Sequence, residues 1–211
     1  MIVTWLAVGC SHAAAPAMAP VPSPAAGQQV AVFAGGCFWC MESDFDKMPG
    51  VISTTSGFAG GTVPNPTYEQ VGAHGTGHLE AVYVIFDPKV QPYEKVLDYY
   101  WRHVDPTDAG GQFCDRGESY QTAIFPVDEA QKKAAEASKA AIDAAGWLGK
   151  PIVTPIRPGQ KFWPAEQYHQ DFHETNPGRY LPYRKGCGRD AKVAQVWAKA
   201  PAPSGSAPAT P

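Results

Sequence analysis

The 211-residue sequence predicts an α+β fold, a ferredoxin-like two-layer sandwich with the split element order β-α-β-β-α-β and extra helices. Three observations support this prediction. Residues 78–86 alternate between two sets of apolar side chains, as a strand does. Pro49-Gly50 ends one helical segment and Pro92 opens another. In chain order, the predicted elements are strand 30–34, helix 38–48, strand 51–58, strand 78–86, helix 92–103 and strand 120–125.

The remaining elements lie between and beyond these. Residues 62–77 are rich in turn formers and predict an irregular loop, and residues 104–119 predict another. Asp128 is the predicted N-cap of a third long helix, which ends before Gly146. The C-terminal third predicts three short elements: strand 152–156, a helix from 164 that residues 176–178 terminate, and helix 189–199.

The two ends of the chain differ in composition from the middle. Residues 1–29 combine a short apolar run with an Ala/Pro-rich stretch, and residues 200–211 predict a disordered tail. Leu6-Ala7-Val8-Gly9-Cys10 is similar to a bacterial lipoprotein cleavage box. We therefore expect an exported lipoprotein or periplasmic enzyme, with Cys10 as the candidate lipid anchor; the alternative is a cytoplasmic protein whose start is misassigned. Residues 30–199 form the predicted catalytic domain, which we expect to be monomeric.

Charge and cysteine content limit the function. The net charge of −3 does not indicate a nucleic-acid-binding protein, which usually carries excess positive charge. The five cysteines are too few and too scattered for a disulfide framework, and they favour a redox or metal site.

The most informative stretch is the glycine pair Gly35-Gly36 followed by Cys37, at the predicted start of a helix. Unpaired backbone N–H groups there favour a thiolate. Phe38 and Trp39 suit an apolar wall beside the sulfur. The spacing of Cys37 and Cys40 also fits a thioredoxin-like redox pair, half of a zinc site, or a buried inert cysteine. For zinc, the remaining ligands would come from His74, His78, Cys114 and Cys187.

A second candidate is Glu80, which the alternation of strand 78–86 places on an apolar face. A buried carboxyl group tends to keep its proton, and a general acid must do so at neutral pH. The loops add Tyr68, Asp115 and Tyr120 as further candidates, because functional groups often lie on loops held by a rigid sheet. His169 and His173 are four residues apart, but we expect their helix to pack against the cysteine turn.

Five motifs occur along the chain: Gly35-Gly36-Cys37-Phe38-Trp39, Asn65-Pro66-Thr67-Tyr68, Gly77-His78-Leu79-Glu80-Ala81-Val82, Asp105-Pro106-Thr107 and Tyr168-His169-Gln170. In this order they resemble the motifs of peptide-methionine (S)-S-oxide reductases, the MsrA family, and the resemblance covers residues 30–197.

The resemblance implies an enzyme that reduces the S epimer of methionine sulfoxide, free or in proteins, without a bound cofactor or metal. It implies Cys37 as nucleophile, Glu80 as general acid, and Tyr68 and Tyr120 as hydrogen-bond donors to the sulfoxide oxygen. It also implies Asp115 as a nearby acid, Phe38 and Trp39 as the methyl-group pocket, and a long irregular C-terminal segment. A thioredoxin-like dithiol would then recycle the enzyme.

The second thiol departs from the usual family pattern, in which glycine stands where this chain has Cys40. Cys187 lies between two glycines, on a segment predicted to be mobile, and is the preferred resolving cysteine. Cys40 and then Cys114 are the alternatives. Two interpretations outside this family stay open. One is a thiol–disulfide oxidoreductase that uses Cys37 and Cys40, and the other is a binding module whose cysteines are structural.

Overall fold

The computed structural model describes residues 16–201, which fold around a five-stranded antiparallel sheet. The strands are β1 (Gln29–Gly35), β2 (Val51–Ala59), β3 (Leu79–Phe86), β4 (Gly111–Gln112), β5 (Asp115–Arg116), β6 (Thr122–Ile124) and β7 (Phe162–Pro164). The α-helices are α1 (Phe38–Phe45), α2 (Tyr68–Gly72), α3 (Tyr93–Trp101), α4 (Glu129–Ala145), α5 (Phe172–Thr175), α6 (Pro177–Cys187) and α7 (Arg189–Val196). Two 3₁₀ turns complete the set, Glu118–Tyr120 and Gln167–His169.

The sheet has the order β6-β1-β3-β2-β7, and β4 pairs with β5 in a separate hairpin. β3 lies between β1 and β2 and is antiparallel to both, so β1 and β2 run parallel on either side of it. The predicted α+β class is confirmed, and β1, α1, β2, β3, α3 and β6 follow one another in the predicted order. The segments predicted to be irregular loops differ, because the first contains α2 and the second contains the β4–β5 hairpin.

The main core fills the space between one face of the sheet and helices α1, α3 and α4. Val82, Val84 and Phe86 of β3 point into this core, together with Phe33 of β1 and Trp101 of α3. Alternation along a strand places Glu80 on the same side as Val82. This face meets the N-terminal end of α1, which is where the functional groups gather.

The predicted strand at residues 152–156 is wrong. The segment makes a single parallel bridge, between Ile124 and Ile156. Pro155 has no N–H group to donate to the sheet, so its backbone contributes one hydrogen bond, in which its carbonyl oxygen accepts from Ile124 N.

The predicted helix at residues 164–175 is also wrong in its extent. Asp171 has a φ of +50°, which separates the 3₁₀ turn from α5. The predicted end is correct, because α5 stops at Thr175 with Asn176 as its C-cap, but a further helix follows at once. Pro177 is the first residue of α6, a position that suits proline because its missing N–H is not needed there. The C-terminal segment is therefore more helical than expected, and Cys187 ends α6 rather than lying on a loop.

The N-terminal Ala/Pro-rich stretch contacts the domain where it can be described. Ala19 N donates to Ala165 O, Gln167 N donates to Ala17 O, and Met18 bridges Glu166. Cys10 and nearly all of the predicted tail lie outside the described residues. No helix within residues 16–201 is long and apolar enough to cross a membrane.

Candidate active site

The turn from β1 to α1 presents Cys37 to a small cavity. Gly36 has a φ of +82°, and a Cβ there would lie 2.6 Å from Gln112 Cβ, so the turn requires glycine. Cys37 occupies the N-cap position of α1 and is 5% exposed. The cavity is lined by Cys37, Phe38, Trp39, Tyr68, Glu80, Asp115, Tyr120 and Tyr183. The structure thus brings together every residue predicted for nucleophile, acid, phenols and pocket, and it adds Tyr183.

Glu80 is a buried carboxyl group at the floor of this cavity, with 3% of its surface exposed. Its Oε2 accepts a hydrogen bond of 2.9 Å from Phe38 N at the start of α1. Burial raises the pKa of Glu80 to about 8, the charge of Asp115 adds to this increase, and the bond from Phe38 opposes it. Glu80 is therefore mostly protonated at neutral pH and able to donate.

Two phenols converge on the same space. Tyr68 begins α2, where Thr67 and Gln70 form a reciprocal capping box that fixes the entry of the helix. Tyr68 N also donates to Glu166 Oε1 at 3.0 Å. Burial raises the pKa of Tyr68 to about 12 and raises that of Tyr120, its hydrogen-bond partner, further still. Both phenols keep their protons and can act as donors.

The two thiols of α1 differ in acidity. Burial raises the pKa of Cys37 well above its usual range, and its interaction with Cys40 adds to the increase. A hydrogen bond from Cys37 and the positive charges of Arg189 and Arg184 lower the pKa of Cys40 against its own burial. The surroundings therefore oppose a thiolate at Cys37 and favour one at Cys40, since burial of Cys37 works against the field of the helix terminus. The thiolate expected at Cys37 stays a prediction.

An aromatic wall closes one side of the cavity. Trp39 stacks on Phe172 with ring centroids 3.8 Å apart, and its indole N–H donates to His169 Nδ1 at 3.1 Å. Burial lowers the pKa of His169 to about 4, so this ring is a neutral acceptor at physiological pH. His173 faces Asp46 instead, at 3.4 Å. The two histidines therefore do not act as a pair, and the predicted packing of this segment against the cysteine turn is confirmed.

Tyr183, on α6, is the site residue that the sequence prediction missed. Its hydroxyl donates to Asp115 Oδ2 at 2.6 Å and also lies within hydrogen-bonding reach of Cys37. Burial raises the pKa of Asp115, and the bond from Tyr183 opposes the increase. The spacing of Tyr183 and Cys187 could have indicated it, because residues four apart lie on the same face of a helix. The segment was expected to be a loop, so this spacing was not considered.

Comparison with known proteins places this geometry in a family. The family model described as peptide methionine sulfoxide reductase matches residues 29–201. The chain belongs to this family. Relatives named peptide methionine sulfoxide reductase MsrA are 52% identical in Bacillus licheniformis and 54% identical in Ligilactobacillus salivarius. These matches cover 82% and 81% of this chain and 95% and 98% of the two relatives.

Solved structures agree with the assignment. The reduced form of Mxr1 from Saccharomyces cerevisiae matches with a TM-score of 0.67 and 29% identity, covering 72% of this chain and 87% of that one. Methionine sulfoxide reductase A of Corynebacterium diphtheriae matches with a TM-score of 0.65 and 28% identity, covering 77% and 89%. The activity of this family member is the reduction of methionine sulfoxide.

The other two described cysteines are joined. Cys114 and Cys187 form a disulfide with Cα atoms 5.0 Å apart, although the sequence predicted no such pairing. Cys37 and Cys40 are both free and buried. Among residues 16–201, the one group whose ligand atoms lie close enough to hold a metal is Cys114, Asp115 and Cys187, and the disulfide uses both of its sulfurs.

The zinc reading of the Cys37 and Cys40 pair also lacks support from histidine. His78 Nδ1 accepts from Gly61 N, and its Nε2 bonds to Val63 O, so both ring nitrogens are used in holding the loop at residues 62–77.

Proposed function

We propose that this cavity reduces the S epimer of methionine sulfoxide, with Cys37 as the nucleophile and Glu80 as the general acid. The observation that carries the proposal is a protonated, buried carboxyl group facing the same small cavity as the thiol and two protonated phenols. Attack of Cys37 on the sulfoxide sulfur forms an S–S bond and moves charge onto the oxygen, which Glu80 protonates while Tyr68 and Tyr120 donate hydrogen bonds. The hydroxyl group then passes from the substrate sulfur to the Cys37 sulfur as the S–S bond breaks, which gives methionine and a Cys37 sulfenic acid.

Phe38 and Trp39 are proposed to hold the methyl group of the substrate. Phe38 is buried against Phe58, and Trp39 is fixed by Phe172 and His169, so the two rings form a rigid apolar surface. An oxygen directed to the phenols and a methyl group directed to this wall leave one orientation for the peptide. This geometry supports selection of one epimer.

We propose Cys40 as the thiol that resolves the sulfenic acid. Its sulfur interacts with that of Cys37, and Arg184 and Arg189 favour its thiolate. Attack on the sulfenic sulfur would form a Cys37–Cys40 disulfide and release the oxygen as water. Cys187, the choice preferred from sequence, is bound to Cys114 in this structure and must first be freed by reduction.

Recycling then requires two electrons from an external dithiol, for which we propose a thioredoxin-like protein. Mxr1 of Saccharomyces cerevisiae, which shares the fold of this chain, has been crystallised in complex with Trx2.

We also propose oxidised methionine in peptides and proteins as the substrate, a monomeric enzyme, and export to the periplasm with Cys10 lipidated. The export proposal rests on the sequence Leu6-Ala7-Val8-Gly9-Cys10.

The deciding experiment measures methionine formation from the separate S and R epimers of a peptide sulfoxide, with dithiothreitol as reductant. We expect turnover of the S epimer alone and its complete loss in Cys37→Ser. Reduction of insulin disulfides with no turnover of either epimer would instead establish the dithiol oxidoreductase reading.

A second experiment identifies the resolving cysteine. One equivalent of S sulfoxide is added without reductant, and the disulfides are mapped by mass spectrometry. A Cys37–Cys40 bond is expected, and a Cys37–Cys187 bond would replace Cys40 by Cys187 in the proposal.

A further inference from the structure

Tyr183 and Asp115 are the two cavity residues to which the reaction outlined above gives no task. Tyr183 comes from α6, late in the chain, and reaches the cavity beside the nucleophile. Its hydroxyl lies between a proton donor and a proton acceptor. The donor is the Cys37 thiol, which must lose a proton to attack, and the acceptor is Asp115, whose Oδ2 lies 2.6 Å from the Tyr183 hydroxyl oxygen. The edge of Tyr183 also packs against the Trp39 ring, with the two planes at 86°, which holds the phenol in place.

We propose that Tyr183 is a catalytic residue that carries the proton of Cys37 to Asp115 as the sulfur attacks. Before the transfer, the Cys37 S–H faces the phenol oxygen and the phenol O–H donates to Asp115. After it, Asp115 holds a proton that it donates to the phenol oxygen, and the phenol O–H donates to the thiolate. One proton moves from sulfur to carboxylate, one negative charge moves the opposite way, and Tyr183 is neutral throughout. The inference rests on the proposed role of Cys37.

The other groups around Cys37 are poorer acceptors. They are Cys40 on α1, Glu80 on β3, Tyr68 on α2 and Tyr120 on the 3₁₀ turn before β6, with Tyr180 and Arg184 of α6 and Arg189 of α7 close to Cys40. Glu80 already carries a proton and must give it to the sulfoxide oxygen. The phenols are needed as donors to that oxygen.

Cys40 is the one other candidate acceptor, and its position argues against it. It is 1% exposed and does not line the cavity, so a proton left there has no direct route to solvent. A proton placed on Cys40 would also have to be removed again before this thiol could attack the sulfenic acid. Asp115 is partly exposed and can return the proton to water between turnovers.

A disulfide holds this arrangement together. Asp115 follows Cys114 in sequence, and Tyr183 lies one helical turn before Cys187, so the Cys114–Cys187 bond joins the two chain segments next to the Asp115–Tyr183 hydrogen bond. The phenol and the carboxylate are thereby fixed at hydrogen-bond distance before substrate arrives, as efficient proton transfer requires.

The test compares Tyr183→Phe, Asp115→Asn and the double variant in a single turnover, measured as methionine formed from the S epimer without reductant. Loss of a positioned base lowers the rate about 10²-fold or more at pH 7. We expect each single variant to show this loss at saturating substrate, with the half-saturating substrate concentration nearly unchanged, and the double variant to lose no more than either single one. The rate of Cys37 alkylation by iodoacetamide, followed by mass spectrometry of the Cys37 peptide, should shift to higher pH in Tyr183→Phe.

Tyr99→Phe is the matched control, because it also removes a phenol that donates a partly buried hydrogen bond, to Asp44 O at 2.7 Å, but outside the cavity. It should keep the wild-type rate and alkylation profile. A wild-type rate in Tyr183→Phe, additive losses in the double variant, or an equal loss of the first turnover in Cys40→Ser would overturn the inference. Activity remaining in Cys37→Ser would overturn the proposed function instead.

Discussion

Replacing Glu80 by glutamine should make the protein more stable and much less active. In the folded state the pKa of Glu80 is about 8, against an ordinary value of 4.5. Between these two pH values the folded state binds a proton that the unfolded state has lost, so stability falls as pH rises through this window. At pH 7, which is 2.5 pH units above 4.5, this titration lowers the free energy of unfolding by about 3 kcal/mol. A glutamine at this position is neutral at every pH and avoids this destabilisation. Its amide oxygen can still accept from Phe38 N.

The assay pairs two measurements on the same samples. Urea unfolding at pH 5, 7 and 8, with the disulfide intact, should show that Glu80→Gln removes part of the fall in stability with pH. First-turnover methionine formation should drop about 10²- to 10⁴-fold, because the general acid is gone. In the wild type the same pKa predicts that the rate falls at pH values above about 8 as Glu80 loses its proton.

Glu42→Gln is the matched control for this prediction. Glu42 is fully buried on α1 and accepts from Asp171 N at 3.0 Å, and burial likewise raises its pKa to about 8, but it does not line the cavity. We expect a similar gain in stability with activity retained. The reasoning about Glu80 is refuted if Glu80→Gln turns over at the wild-type rate, or if its stability varies with pH as steeply as the wild type.

Three further predictions follow from the cavity and the disulfide. Tyr68→Phe and Tyr120→Phe should each lower the first-turnover rate at saturating substrate by about 10²-fold, with the half-saturating substrate concentration nearly unchanged, because each removes a donor to the developing oxyanion. Trp39→Ala should lower kcat/KM for the S epimer about 10- to 200-fold, chiefly through KM, by removing the apolar wall; a loss confined to kcat would contradict this. Cys114→Ser should lower the free energy of unfolding by about 2 to 4 kcal/mol, measured in urea, because a closed loop with a sequence separation of 73 is opened.

The sequence was most informative where local chemistry and geometry coincide. Gly35-Gly36 before Cys37 predicted the turn that the structure shows, and the position of Glu80 among apolar residues predicted its burial and retained proton. Asp128 and Gly146 set the ends of α4 as expected, since an N-cap side chain and a left-handed glycine act through their own backbone neighbours. These features need no knowledge of distant contacts.

What the sequence could not show depends on long-range contacts. The pKa of Cys40 is lowered first by the hydrogen bond from Cys37, but also by Arg184 and Arg189, which lie more than a hundred residues away along the chain. The link between Cys114 and Cys187 and the placement of Tyr183 require α6, which a short Pro/Gly-containing stretch did not predict. Asn176-Pro177-Gly178 is equally consistent with the end of one helix and the start of another.

The pairing of Ala17–Ala19 with the segment at Ala165–Gln167 ties the first described residues to the oxygen-binding side of the cavity. Glu166 lies in that segment and holds Tyr68 N through its carboxylate, so two peptide hydrogen bonds couple residues 17–19 to the backbone that orients a phenol. At the other end of the described range, Arg102 donates to Pro201 O, and Arg189 of α7 holds the cysteine turn at Gly35 O. The two ends of the domain are therefore unequal as points of attachment: one braces the oxygen-binding side of the cavity and the other braces the sulfur side.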